Sequence, residues 1–157
     1  MTQEAKIGYS WLFFMIGLIL RLTPALDIIH ELMHYGYANT EGIKVIELHW
    51  SSIKYARLSS IVTYGGYTGE FMMYGFLVFM FGLVNKPAAS FFLGILLVSW
   101  FGSFASLDYN QHALRLWGSQ EIVTRQLIVW GVWTSICMII LLATYFHNFD
   151  IKEKKNV

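Results

Sequence analysis

The chain has 157 residues, of which 56% are hydrophobic and 13% charged, with a formal net charge of +1. One domain is expected from that length, and the apolar excess with so few charges is that of an integral membrane protein. The near-neutral balance excludes an electrostatic case for nucleic acid or a polybasic lipid patch, and the lone Cys137 excludes a disulfide framework and a cysteine-based metal site.

In chain order, Met1 to Lys6 carries both Glu4 and Lys6, and no small-residue cleavage site follows the apolar stretch. The segment therefore does not read as a cleavable signal peptide, and the first hydrophobic run is expected to remain in the mature protein. That run extends from Ile7 to Leu22 and meets Thr23 and Pro24. Thr23 as an N-cap with Pro24 at the first helical position is a start signal for a new helix. The favoured reading is one long helix kinked at Pro24, over about 9–38, whose apolar part is near bilayer length.

Near its end stands His30-Glu31-Leu32-Met33-His34. On a helix, positions i and i+4 share a face, so both imidazoles can bind one zinc ion while Glu31 takes a proton from water held there. A chance HExxH in a chain with this His and Glu content has odds on the order of one in a hundred. Imidazole and carboxylate groups are costly in a bilayer and rare there without a purpose.

From about 43 to 64 the chain mixes β-branched and aromatic residues with polar ones around a turn at Trp50-Ser51-Ser52, which predicts a β-hairpin or small sheet. Gly65-Gly66 breaks the pattern. A second span is expected over about 67–84, a tight turn at Asn85-Lys86-Pro87, a third span over about 88–117 and a fourth over about 122–147. The predicted fold is thus an all-α membrane protein, one domain over 1–157, with about four transmembrane helices and a small sheet between the first two.

Four spans have a topological consequence. The first and third leave on the same side, so Asp108, at the exit of the third, is expected at the depth of His30, Glu31 and His34. The site read from these residues is a catalytic zinc site with His30, His34 and Asp108 as ligands and Glu31 as general base. Asp27, one turn before His30, is a candidate to hold an imidazole's second nitrogen or simply a residue at a water-filled mouth. His112, one turn after Asp108, is a candidate supporting residue, stabiliser of transition-state charge, or fourth ligand. A fourth protein ligand would close the site and favour a structural role. Gly65 and Gly66 are candidates for close approach of an extended substrate strand, or a plain turn into a helix.

These residues resemble the site-2 protease family of intramembrane zinc metalloproteases. The match comprises a helix with HELMH, a β segment ending in Tyr64-Gly65-Gly66-Tyr67, a further span, and a late helix with Leu107-Asp108, covering roughly Asp27 to Tyr109. The resemblance implies His30, His34 and Asp108 as zinc ligands, Glu31 as the catalytic glutamate and a β segment that presents an unfolded substrate strand. It also implies a transmembrane protein as substrate and an active site near the cytoplasmic face. Tyr109 stands where that family usually has glycine, Ser103 and Ser99 stand where an asparagine is usual, and no PDZ domain or other soluble module is found.

Alternative readings are a non-catalytic membrane protein that binds a metal or a partner, and a metal or proton conduit. The serines at 99, 103 and 106 are a thin polar path for a conduit. Basic residues fall about equally on the two sides, so charge sets no orientation.

Overall fold

The computed structural model describes residues 3–57, 59–105 and 114–154. The described chain is mostly helical: α1 (Gln3–Leu22), a 3-10 turn (Pro24–Leu26), α2 (Asp27–Thr40), β1 (Val45–His49), β2 (Ser52–Tyr55), α3 (Ser60–Val84), α4 (Lys86–Ala105) and α5 (Gln120–Lys154).

The first expected span is two helices, not one kinked helix. α1 and α2 meet at 78° across the break at Pro24. Thr23 is extended, with φ −95° and ψ 159°, and its hydroxyl accepts from the Ala25 amide at 3.4 Å. Pro24 follows at the first position of the 3-10 turn, where its missing N–H costs nothing and its fixed φ suits a helix start. The capping signal at Thr23-Pro24 therefore outweighs the continuous apolar pattern.

α2 ends in a Schellman motif: Gly42, at φ +62°, lies in the left-handed region, the Gly42 amide donates to the Asn39 carbonyl (3.1 Å) and the Ile43 amide to the Ala38 carbonyl (2.8 Å). Ala38, Ile43 and Val62 then form a small buried cluster under the hairpin. β1 and β2 are antiparallel, with Leu48 opposite Ile53 and an irregularity between Val45 and Glu47.

The hairpin is shorter than the 43–64 read from the sequence, because α3 starts at Ser60. Val62 to Gly66, expected as strand and breaker, are helical. β-branched residues favour strands only weakly, and packing against α2 overrides that preference. The turn at Asn85 is as expected: its amide donates to Phe81 O (2.7 Å), its side chain accepts from the Ala88 amide (3.2 Å), and Pro87 falls in the first turn of α4.

α1 and α4 make the closest helix pair. A Cβ on Gly17 would overlap the Phe91 carbonyl, and one on Gly94 would overlap the Phe14 carbonyl, so only glycine lets these backbones touch. Contacts advance together along both helices, from Gly17 against Phe91 to Arg21 against Ser99, so the two run parallel. The core lies between α3, α4 and α5, around Tyr74, Val78, Leu93, Ile95, Leu96 and Met138. Among the described residues three helices, α3, α4 and α5, are long and apolar enough to cross a membrane, and a fourth span results if α1 and α2 together count as one.

Candidate metal centre

His30 and His34 lie one turn apart on α2 and point the same way, toward the second turn of α3. Their Nε2 atoms are 3.2 Å apart. A Cβ on Gly66 would overlap His30 Cε1 and His34 Nε2, so a side chain at that position is excluded by the imidazoles themselves. Gly65 and Gly69 have the same relation to Tyr37 and Met33. The three glycines let α3 lie directly on α2. They are part of a helix, which corrects the expectation that Gly65-Gly66 breaks the chain beside a substrate strand.

A polar group stands behind each imidazole. His34 Nδ1 donates to the Val62 carbonyl at 2.7 Å. A carbonyl can only accept, so that nitrogen carries the proton and Nε2 presents its lone pair. His30 Nδ1 faces Glu70 Oε2 at 3.7 Å, beyond hydrogen-bond distance, and has no hydrogen-bond partner among the described residues. The ring of Tyr67 packs edge-on to His30, with centroids 4.4 Å apart. The two Nε2 atoms face one another at 3.2 Å, so either His30 carries a hydrogen there and donates it to His34, or a cation lies between them.

The spacing fits a metal. Two nitrogens each about 2.0–2.1 Å from one tetrahedral zinc lie about 3.3 Å apart. Glu31, next to His30, is buried at 8% exposure. Tyr55 of β2 closes the other side, its ring 6.2 Å from that of His34. Its hydroxyl is buried without a hydrogen-bond partner among the described residues, and burial, reinforced by the negative charge of Glu31, pushes its pKa well above the usual tyrosine range.

Asp108 and His112 lie outside the described residues. Among the described residues no three His, Cys, Asp or Glu side chains converge as a metal-binding group. Both flanks of 106–113 nevertheless touch the same turn of α3. A Cβ on Gly102 of α4 would stand 3.9 Å from Tyr67 Cε1. On the far side, Trp117 packs against Tyr64 with ring centroids 5.6 Å apart.

Asp27 is not beside an imidazole; its carboxylate pairs with Arg21 at 3.3 Å, at the α1–α2 break. The carboxylate behind His30 is Glu70, which is fully buried and also pairs with Arg21 at 3.2 Å. Arg21 completes its contacts by donating from Nε to Ser99 Oγ at 2.9 Å. Sequence reasoning did not single out Arg21, Glu70 or Tyr55, and it named Ser99 only as a polar position of the third span and Tyr67 only within the resemblance. One signal was available: Arg21 and Glu70 are opposite charges inside apolar stretches, where each needs a partner.

No match to a protein family, a curated protein or a solved structure was found for this chain.

Proposed function

We propose that this protein is an intramembrane zinc metalloprotease that hydrolyses peptide bonds in or beside transmembrane segments of other membrane proteins. The observation that carries the reading is the His30–His34 pair: two Nε2 atoms 3.2 Å apart, with His34 fixed by the Val62 carbonyl, His30 backed by the Glu70 carboxylate at 3.7 Å, and a buried glutamate next in sequence. The resemblance to the site-2 protease family supplies the reaction class, and the apolar helices supply the setting. Asp108 is the third ligand on this reading, supported by the contacts of its two flanking segments with the turn that carries Gly66.

Zinc, when bound, polarises the scissile carbonyl and makes water acidic enough to lose a proton near neutral pH. The chain's own groups do the rest. His30, His34 and Asp108 hold the ion. Glu31 accepts the proton of the attacking water and delivers it to the leaving amine, so that water adds across the C–N bond. Gly66 keeps the space in front of the imidazoles clear. Tyr55 brings a buried hydroxyl to the same face of α2. A substrate helix satisfies its own backbone hydrogen bonds and must unwind locally before its carbonyl can be attacked, so the open edges of the β1–β2 ribbon are suited to receive it.

The test is zinc content per chain of detergent-purified protein, for wild type beside His30→Ala and Asp108→Ala, followed by cleavage of a transmembrane substrate by wild type and Glu31→Gln. Near-stoichiometric zinc lost in both alanine variants, with cleavage lost in Glu31→Gln while zinc stays, is the expected result. Wild-type protein purified with zinc present that holds none would assign the Nε2–Nε2 contact to a hydrogen bond between the imidazoles and end the protease reading.

A further inference from the structure

The best-buried charge in the described chain does not touch the Nε2 face at all. Glu70 of α3 has no solvent exposure; its Oε2 accepts from Arg21 NH2 at 3.2 Å and lies 3.7 Å from His30 Nδ1, a buried nitrogen with no hydrogen-bond partner among the described residues. Arg21 comes from α1, across the 78° break from α2, and is itself fixed by Ser99 of α4 and Asp27 of α2. Four helices therefore converge on one carboxylate that looks at the back of one imidazole. A buried ion pair is weak justification for itself: replacing such a pair with apolar groups of similar volume is often neutral or stabilising. Stability alone does not explain why an arginine and a glutamate are spent here.

A histidine that ligates a metal commonly gives its other N–H to a carboxylate, which fixes the tautomer and makes the ligating nitrogen more basic. His34 has its acceptor in a backbone carbonyl. We propose that Glu70 is the positioning residue of His30, set behind Nδ1 so that Nε2 stays turned to the metal, and that Arg21 keeps the Glu70 carboxylate aimed. The inference rests on the metal reading above. Glu70 is not a ligand: it faces Nδ1, the nitrogen on the far side of the ring.

The decisive variant is Arg21→Met/Glu70→Leu, which removes both charges and leaves neither uncompensated. It should melt within a few degrees of wild type. Its zinc affinity, measured by competition with a chromophoric chelator, should nevertheless fall roughly 10- to 100-fold. Glu70→Gln in the same assay should lose affinity, and its cobalt(II)-loaded form should show shifted visible bands as His30 becomes a weaker donor. A packing defect alone would leave those bands as in wild type. Wild-type zinc affinity and an unshifted cobalt spectrum in these variants would overturn the role of Glu70 while leaving the metal site standing. A wild-type protein that binds no zinc would overturn both readings together.

Discussion

Two regions of this molecule are built on different rules. Where α2 rests on α3, polar groups are buried in linked sets: His34 with Val62 O, His30 with Glu70, Glu70 with Arg21, Arg21 with Ser99. Over its membrane-length window α5 is apolar; it gives Met138 to the core, but its polar contacts to α4 are isolated ones, such as Trp100 Nε1 to Thr134 Oγ1 at 2.9 Å and Ser90 to Tyr145 at 2.6 Å. Only 11% of its membrane-length window is buried, against 28% for α3 and 44% for α4. On the proposed reading, the contrast makes α5 a wall whose outer face is left to lipid, with chemistry confined to the α2–α3 contact. Mutations should therefore separate cleanly by region.

The largest effect belongs to Glu31→Gln, which should lower the cleavage rate by roughly 10²–10⁴ while zinc content stays at the wild-type level. Retained cleavage would break the division of labour at once. Next is Gly66→Ala, whose methyl must displace both imidazoles; overpacking of this kind costs about 1–3 kcal/mol, and zinc should be lost with it. Thermal melting and metal analysis on the same sample would show whether the two losses travel together. On α5, Thr134→Val removes the partner of the Trp100 indole and should cost about 1 kcal/mol with zinc untouched. A change in zinc there would mean that the wall reaches the site. The smallest effect is expected at Gly75, also on α3, where an added Cβ meets nothing within 4 Å. Gly75→Ala should stabilise the helix by about 0.5–1 kcal/mol. Opposite signs at Gly66 and Gly75 would confine the constraint to the α2 contact.

How much of this was legible in the sequence varies by element. Spacing placed His30, Glu31 and His34 on one face, and hydropathy found the membrane-length helices, because both depend on local periodicity. Thr23-Pro24 carried its capping signal openly, yet the apolar run around it suggested continuity. Gly65-Gly66 read as a break because glycine ends more helices than it packs. Its real constraint, the two imidazoles and Tyr37 pressed against it, comes from a helix some thirty residues earlier. Arg21 and Glu70 are 49 positions apart, and nothing local in either neighbourhood names the other. Asp27 was the carboxylate at helical spacing from His30, but the bend turns it to Arg21 instead. The expectations at Asp108 and His112 fall outside the described residues.

The helix carrying the two histidines is fastened at both ends by backbone groups. At its start, the Trp50 indole from the hairpin turn donates to the Pro24 carbonyl at 2.7 Å. At its finish, the Schellman pair ties Gly42 and Ile43 back to Asn39 and Ala38. Neither fastening involves an ion. In zinc fingers the ion itself organises the chain, so removing it unfolds the domain. Here the contacts that hold α2 involve no ion, so on the proposed reading little ordering entropy is left for metal binding to overcome. Such a pocket is preorganised: chelation should empty it without melting the bundle, and refilling should restore it without refolding.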